Sequence, residues 1–202
     1  MPGSLKLVGK HAQVANKTLS LLGRIFDEKK IDYILEGGTL LGIVREDRLL
    51  PWDTDIDISV RSDQAEKIVS QLWRFWIRGY KTRVKRFKKD VGPFKKGDIR
   101  IIKIQRHILY LKRFEMVDIF VKYKVGDEYL NIVGKKPAII RNFPSVYLEN
   151  CEKIEYRGQL YRAPINKEEY LELIYGDWKT PKKEWDYTKD NKRVKEILES
   201  IK

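Results

Sequence analysis

A single cysteine, Cys151, and two histidines, His11 and His107, are the whole supply of soft or borderline metal ligands in 202 residues. One cysteine excludes an intramolecular disulfide and any cysteine-rich zinc site, and leaves Cys151 as a small apolar residue. His11 falls in a helical pattern and His107 in a basic extended one, neither at a metal-like spacing, so both are expected to be structural. No apolar run approaches the roughly 18 residues of a membrane span, and the N-terminus shows no signal-type apolar segment. A cytoplasmic location follows as the expectation. Acids are scarce in one region: residues 78–113 hold 14 Lys or Arg against Asp90 and Asp98 alone.

That imbalance sets the character of the chain, whose net charge is +13. Such a charge favours anionic partners, namely nucleotides, nucleic acid, or acidic lipid and glycan surfaces. The basic region also carries Tyr80, Phe87, Phe94 and Tyr110. It reads as a solvated strand edge protected by lysines, as a platform for an anionic acceptor, or as a nucleic-acid surface.

Periodicity predicts a helix over Leu5 to Lys30 and a short strand over Ile31 to Glu36. Thr39 then caps a segment Leu40 to Arg45, and Pro51-Trp52 bends the chain into a strand over Asp55 to Val60. Asp63 and Glu66 resemble a capping box for a helix burying Ile68, Val69, Leu72, Trp73 and Trp76. Tyr80 to Lys89, Asp98 to Gln105 and Phe114 to Tyr123 form an antiparallel meander, and Gly126-Asp127 turns into Tyr129 to Val133. Pro137 to Tyr147 looks irregular. A hairpin about Arg157-Gly158, a helix over Asn166 to Tyr175 ended by Gly176, and a charged helix over Asn191 to Lys202 complete the chain. Without repeats or low-complexity linkers, one domain over residues 1–202 is expected, its core at about 5–185.

The chemistry concentrates between Tyr33 and Val60, YILEGGTLLGIVREDRLLPWDTDIDISV. Asp55 and Asp57 alternate with Ile56 and Ile58, which in a strand points both carboxylates to one face. Like charges so placed need a cation or a shared proton, and with oxygen ligands a hard divalent ion fits. Asp118, lone in the apolar run Val117-Asp118-Ile119-Phe120, supplies a third carboxylate if its strand lies alongside. Such a trio could hold two Mg²⁺ ions, and Asp118 could take a proton from an attacking hydroxyl. Gly37-Gly38 before a helix start allows close backbone approach to a phosphate.

A glycine pair after a strand, an acidic-x-acidic strand and a later acidic strand resemble the nucleotidyltransferase (polymerase-β-like) superfamily. The run GGTLLGIVR…LLPWDTDIDI resembles the signature of the LicD family, which includes the fukutin-related proteins and typically reads GGTLLGAVR, then PWDDDIDI. VDIF at Val117 to Phe120 and YLELIYGDWKTP at Tyr170 to Pro181 match further family elements. The resemblance implies an α+β fold with a mixed central sheet flanked by helices. It implies transfer of a phospho-substituent, such as phosphocholine or a polyol phosphate, from a CDP-linked donor to a glycan hydroxyl, as in lipopolysaccharide or teichoic acid biosynthesis. Asp55, Asp57 and Asp118 match the metal-binding and catalytic carboxylates for Mg²⁺ or Mn²⁺, Gly37, Gly38 and Thr39 the phosphate-facing loop, and Arg45 the family's arginine. For Arg45 a bidentate phosphate clamp and a structural salt bridge stand side by side.

The chain departs from the pattern at Thr54, where the family has Asp, and at Glu46, where it often has His. Alternation points Thr54 away from the pair, Asp53 takes a supporting role, and Glu46 marks altered acceptor contacts. The acceptor could be lipid-linked, at the inner face of a membrane. Two alternatives remain at this stage: nucleotidyl transfer from an NTP on the same fold, and a non-enzymatic nucleotide or nucleic-acid binder using the basic meander. Nothing in the sequence sets the oligomeric state.

Overall fold

The computed structural model describes residues 6–108, 112–134, 136–182 and 190–201. Six helices and ten strands follow in the order α1 (Gly9–Glu28), β1 (Ile34–Leu35), α2 (Gly37–Glu46), β2 (Ile56–Arg61), α3 (Ser62–Gln71), α4 (Trp73–Trp76), β3 (Tyr80–Arg86), β4 (Ile99–Ile108), β5 (Lys112–Val125), β6 (Glu128–Gly134), β7 (Ala138–Pro144), α5 (Val146–Glu149), β8 (Cys151–Tyr156), β9 (Gln159–Pro164), α6 (Lys167–Tyr175) and β10 (Val194–Leu198) among the described residues.

Eight of these strands make one mixed sheet, and β8 and β9 pair separately as a hairpin. The long β5 is its spine. One edge of β5 carries β2, parallel, with Asp57 opposite Asp118. Antiparallel pairing to β4, and of β4 to β3, builds the expected meander. Tyr123 to Val125 pair instead with β6, which leads through β7 to β10. Helices α1 and α3 pack against β5. Leu19, Leu22 and Phe26 of α1 meet Ile56, Ile58, Val117 and Ile119 in the main core, all fully buried. Burying each such side chain contributes roughly 1.5–3 kcal/mol.

Four expectations are corrected. Trp73 and Trp76 are exposed, because α3 ends at Gln71 and a new turn begins at Trp73, which shifts the helical phase and turns Phe75 inward instead. Asp63 and Glu66 form no capping box, since no side chain caps α3. Ala138 to Pro144 is strand β7, with Pro144 at its end, where a missing N–H interrupts little pairing. The C-terminal segment is strand β10, not a helix: it pairs antiparallel with β7, whose edge offers ladder partners to Val194–Leu198. Tyr110 and the side chains of Phe114 and His107 lie outside the described residues, and His11 sits half-buried on α1.

Candidate active site

A cavity of about 1010 Å³ opens where β2, β4, β5, β6 and β7 meet the start of α2, and Asp53, Asp55, Asp57 and Asp118 all line it. The register explains the convergence. Arg83 lies opposite Lys103, Lys103 opposite Asp118, and Asp118 opposite Asp57, so one transverse row crosses β3, β4, β5 and β2 on a single face. Two cations and two carboxylates follow one another along about 14 Å of sheet. Lys103 Nζ donates to Asp118 Oδ2 at 2.7 Å, with both side chains nearly buried. Asp55 precedes β2 in a bend, and Thr54, expected to point away, donates its hydroxyl to Asp55 Oδ1 at 3.2 Å. The loop geometry overrides strand alternation there.

Against this acidic cluster stands the N-terminus of α2. Its N-cap residue, Glu36, is extended, and no side chain caps it. Gly37 has φ +58°, and a Cβ there would sit 2.6 Å from Asp57 Oδ2. A Cβ at Gly38 would overlap the Asp53 carboxylate outright. The double glycine thus lets two aspartates reach the positive end of a helix as well as opening its amides to the cavity. Thr39 is not on the cavity wall. It is buried, and its Oγ1 accepts the Asp57 N–H at 2.9 Å, so it fixes the β2 backbone.

Arg45 does line the cavity, and it also makes the salt bridge. Its Nε and Nη2 donate to Glu46 Oε1 and its Nη1 to the Trp178 carbonyl, tying α2 to the segment after α6. Glu46 bridges Arg45 and Arg48, so it acts as a structural clasp at the end of α2. Tyr175 and Trp178 line the cavity while closing the core beneath. Lys85, Arg100 and Arg141 add basic groups to the walls. Part of the basic region therefore enters the cavity, and β3, which among the described residues pairs with β4 alone, forms the solvated edge.

Lys103, Glu36 and Trp52 also line the cavity, and sequence reasoning passed over all three. For Lys103 a signal existed: it is a lone charge within Ile99 to Ile104, the same pattern that revealed Asp118. Glu36 accepts from Lys122 Nζ at 2.9 Å and from the Ser59 hydroxyl, forming a buried polar base under the site. Lys122 Nζ also sits 3.0 Å from the centre of the Phe143 ring, and burial draws its ammonium down to about 8.

The electrostatics fit a cation. Burial, and then the charges of Asp55, Asp118, Asp53 and Glu36, push the Asp57 carboxyl well above its usual range. Among the described residues no group of three His, Cys, Asp or Glu side chains is arranged to hold a metal ion. Mg²⁺ is usually held by one or two carboxylates together with substrate phosphates, so the hard-oxygen donor set and excess negative charge fit it without such a cage.

Burial alone raises the Asp53 carboxyl from 3.8 to about 6. The protonated form therefore contributes stability that is present below the ordinary carboxylate range and lost as pH rises to about 6. Asp53→Asn is expected to match wild type near pH 4 and to exceed it at pH 7 by up to about 3 kcal/mol in urea unfolding with chelator. A stability difference that does not change with pH would refute the assignment.

The family model for the LicD/FKTN/FKRP nucleotidyltransferase domain matches residues 30–166. The lipopolysaccharide cholinephosphotransferase LicD of Haemophilus influenzae is 45% identical over 44 residues, 22% of this chain and 16% of that protein. The ribitol-5-phosphate transferases FKTN of Macaca fascicularis and Homo sapiens are each 25% identical over 189 residues, 90% of this chain and 35% of theirs. The chain thus spans about a third of the fukutin proteins and a smaller share of the bacterial one. No helix among the described residues is long and apolar enough to cross a membrane.

Proposed function

The chain belongs to the LicD family, and from that premise we propose that it transfers a phospho-substituent from a CDP-linked donor to a glycan hydroxyl on a polymerase-β-like nucleotidyltransferase fold. The observation that carries this reading is the pairing of Asp57 with Asp118 across β2 and β5, beside the α2 N-terminus in a basic-walled cavity. The names of the relatives, a cholinephosphotransferase and ribitol-5-phosphate transferases, supply the class of group transferred.

In this reading Asp55, Asp57 and Asp118 would hold Mg²⁺, which when bound neutralises charge developing on the phosphate oxygens. The amides at Gly37 and Gly38 bind donor phosphate oxygens. Arg45, three of whose N–H groups already serve Glu46 and Trp178, turns its remaining donors to the donor's diphosphate. An acceptor oxygen bonds to the phosphorus bearing the substituent, the bond to the departing CMP breaks, and the hydroxyl proton passes to Asp118. Lys103 keeps that carboxylate oriented.

Incubation with Mg²⁺, CDP-choline or CDP-ribitol, and sugar acceptors is expected to yield CMP and an acceptor heavier by the substituted phosphate, read by mass spectrometry. Release of pyrophosphate from CTP or ATP, with a nucleotidyl group on the acceptor, would replace this reading with nucleotidyl transfer.

A further inference from the structure

We propose that the face formed by Trp73, Trp76 and Ile77 docks this protein on an anionic lipid surface. These residues stand at i, i+3 and i+4, so one turn presents all three side by side, and they are 51%, 57% and 68% exposed. Phe75 fixes that orientation. It is fully buried and meets Tyr80 edge-on at 6.0 Å, which anchors α4 to the first residue of β3 and leaves the three apolar side chains no inward alternative. A contiguous apolar face of this kind marks an interaction surface.

Charge selects the occupant. Residues 73–89 contain eight Lys or Arg and no acid. Arg74 is committed to Glu28 and Arg86 to Glu66, whereas Lys81, Arg83, Lys88 and Lys89 are exposed around and beyond the patch. A second copy of the chain would bring +13 against +13 and so is disfavoured. An anionic bilayer offers what both features require: negative headgroups for the cations and an interfacial layer where tryptophan rings settle. No helix among the described residues is long and apolar enough to cross a membrane, so the contact is interfacial. The patch and the cavity share β3, which begins against α4 and reaches the cavity wall at Lys85, about 17 Å along the strand. A lipid-borne acceptor held in the same bilayer would lie within that reach. The docking itself stands without the transfer reaction.

The test is co-sedimentation with phosphatidylcholine vesicles, with and without phosphatidylglycerol. Wild type is expected to bind the anionic vesicles and not the neutral ones. The double variants Trp73→Ser/Trp76→Ser and Trp73→Ala/Ile77→Ala should each bind about tenfold more weakly. The second pair leaves the Trp76 indole bonded to the Thr82 hydroxyl, so a shared loss points to the apolar face and not to that bond. Lys81→Glu/Arg83→Glu should weaken binding comparably. Unchanged vesicle binding by either apolar variant would overturn the proposal. So would failure of wild type to bind, or a self-association that the Trp variants abolish.

Discussion

Asp57→Asn is expected to lower turnover by about a thousandfold or more while raising the thermal midpoint measured in chelator. The first effect follows from removing, at the centre of the cluster, a carboxylate that the proposed reading assigns to Mg²⁺. The second follows from the same crowding, because Asp57 is held among four acidic neighbours that, with burial, oppose its ionisation. An asparagine keeps the shape and removes the repulsion. The gain should be present at neutral pH and vanish as pH falls into the ordinary carboxylate range, where the native side chain is itself protonated. Wild-type turnover in the variant would remove Asp57 from the chemistry. A lowered midpoint at pH 7 would remove the repulsion argument. Activity and stability pulling in opposite directions is the pattern of a site whose strain serves its work.

The largest stability loss is expected at Lys122→Ala, at about 3–5 kcal/mol in denaturant unfolding. Lys122 is fully buried against Glu36, whose carboxylate also takes the Ser59 hydroxyl. Removing the ammonium leaves a buried carboxylate without its counter-charge at the entry to α2, and a loss of that size is about a fifth or more of a typical domain's stability. The paired replacement Glu36→Gln/Lys122→Met should recover most of it, since neither charge then remains. If the double variant is no more stable than Lys122→Ala, the cost lies in packing on Phe143 and not in the stranded charge.

Much of the site was legible because charges inside apolar runs are conspicuous. Asp57 and Asp118 interrupt isoleucine-rich strands, and the parallel pairing of β2 with β5 meets the condition on which Asp118 was expected to join the pair's face. The meander and the Arg157-Gly158 hairpin were readable from alternation and turn chemistry. What escaped was decided at long range. Thr39 looks like a helix cap in sequence, yet its hydroxyl serves an amide 18 positions on. Strand β10 carries too many charges for a visible apolar stripe and becomes a strand because β7 presents an edge. The break at Leu72 carries Trp73 and Trp76 out of the core, a phase slip that a periodic count cannot register. Mixed α+β architecture survived these errors because β5 organises it, and β5 was among the clearest strands.

The row from Arg83 through Lys103 and Asp118 to Asp57 has one more consequence. Three of its members, Lys103, Asp118 and Asp57, line the cavity, so the charge along the floor changes sign and makes a slope, not a uniform well. An anion entering from the β3 side meets Lys85 and Arg100 on the wall first and the carboxylates last. At physiological ionic strength charges are screened over about 8 Å, shorter than the row itself. The slope therefore acts on molecules already inside the cavity, where it gives entry a direction.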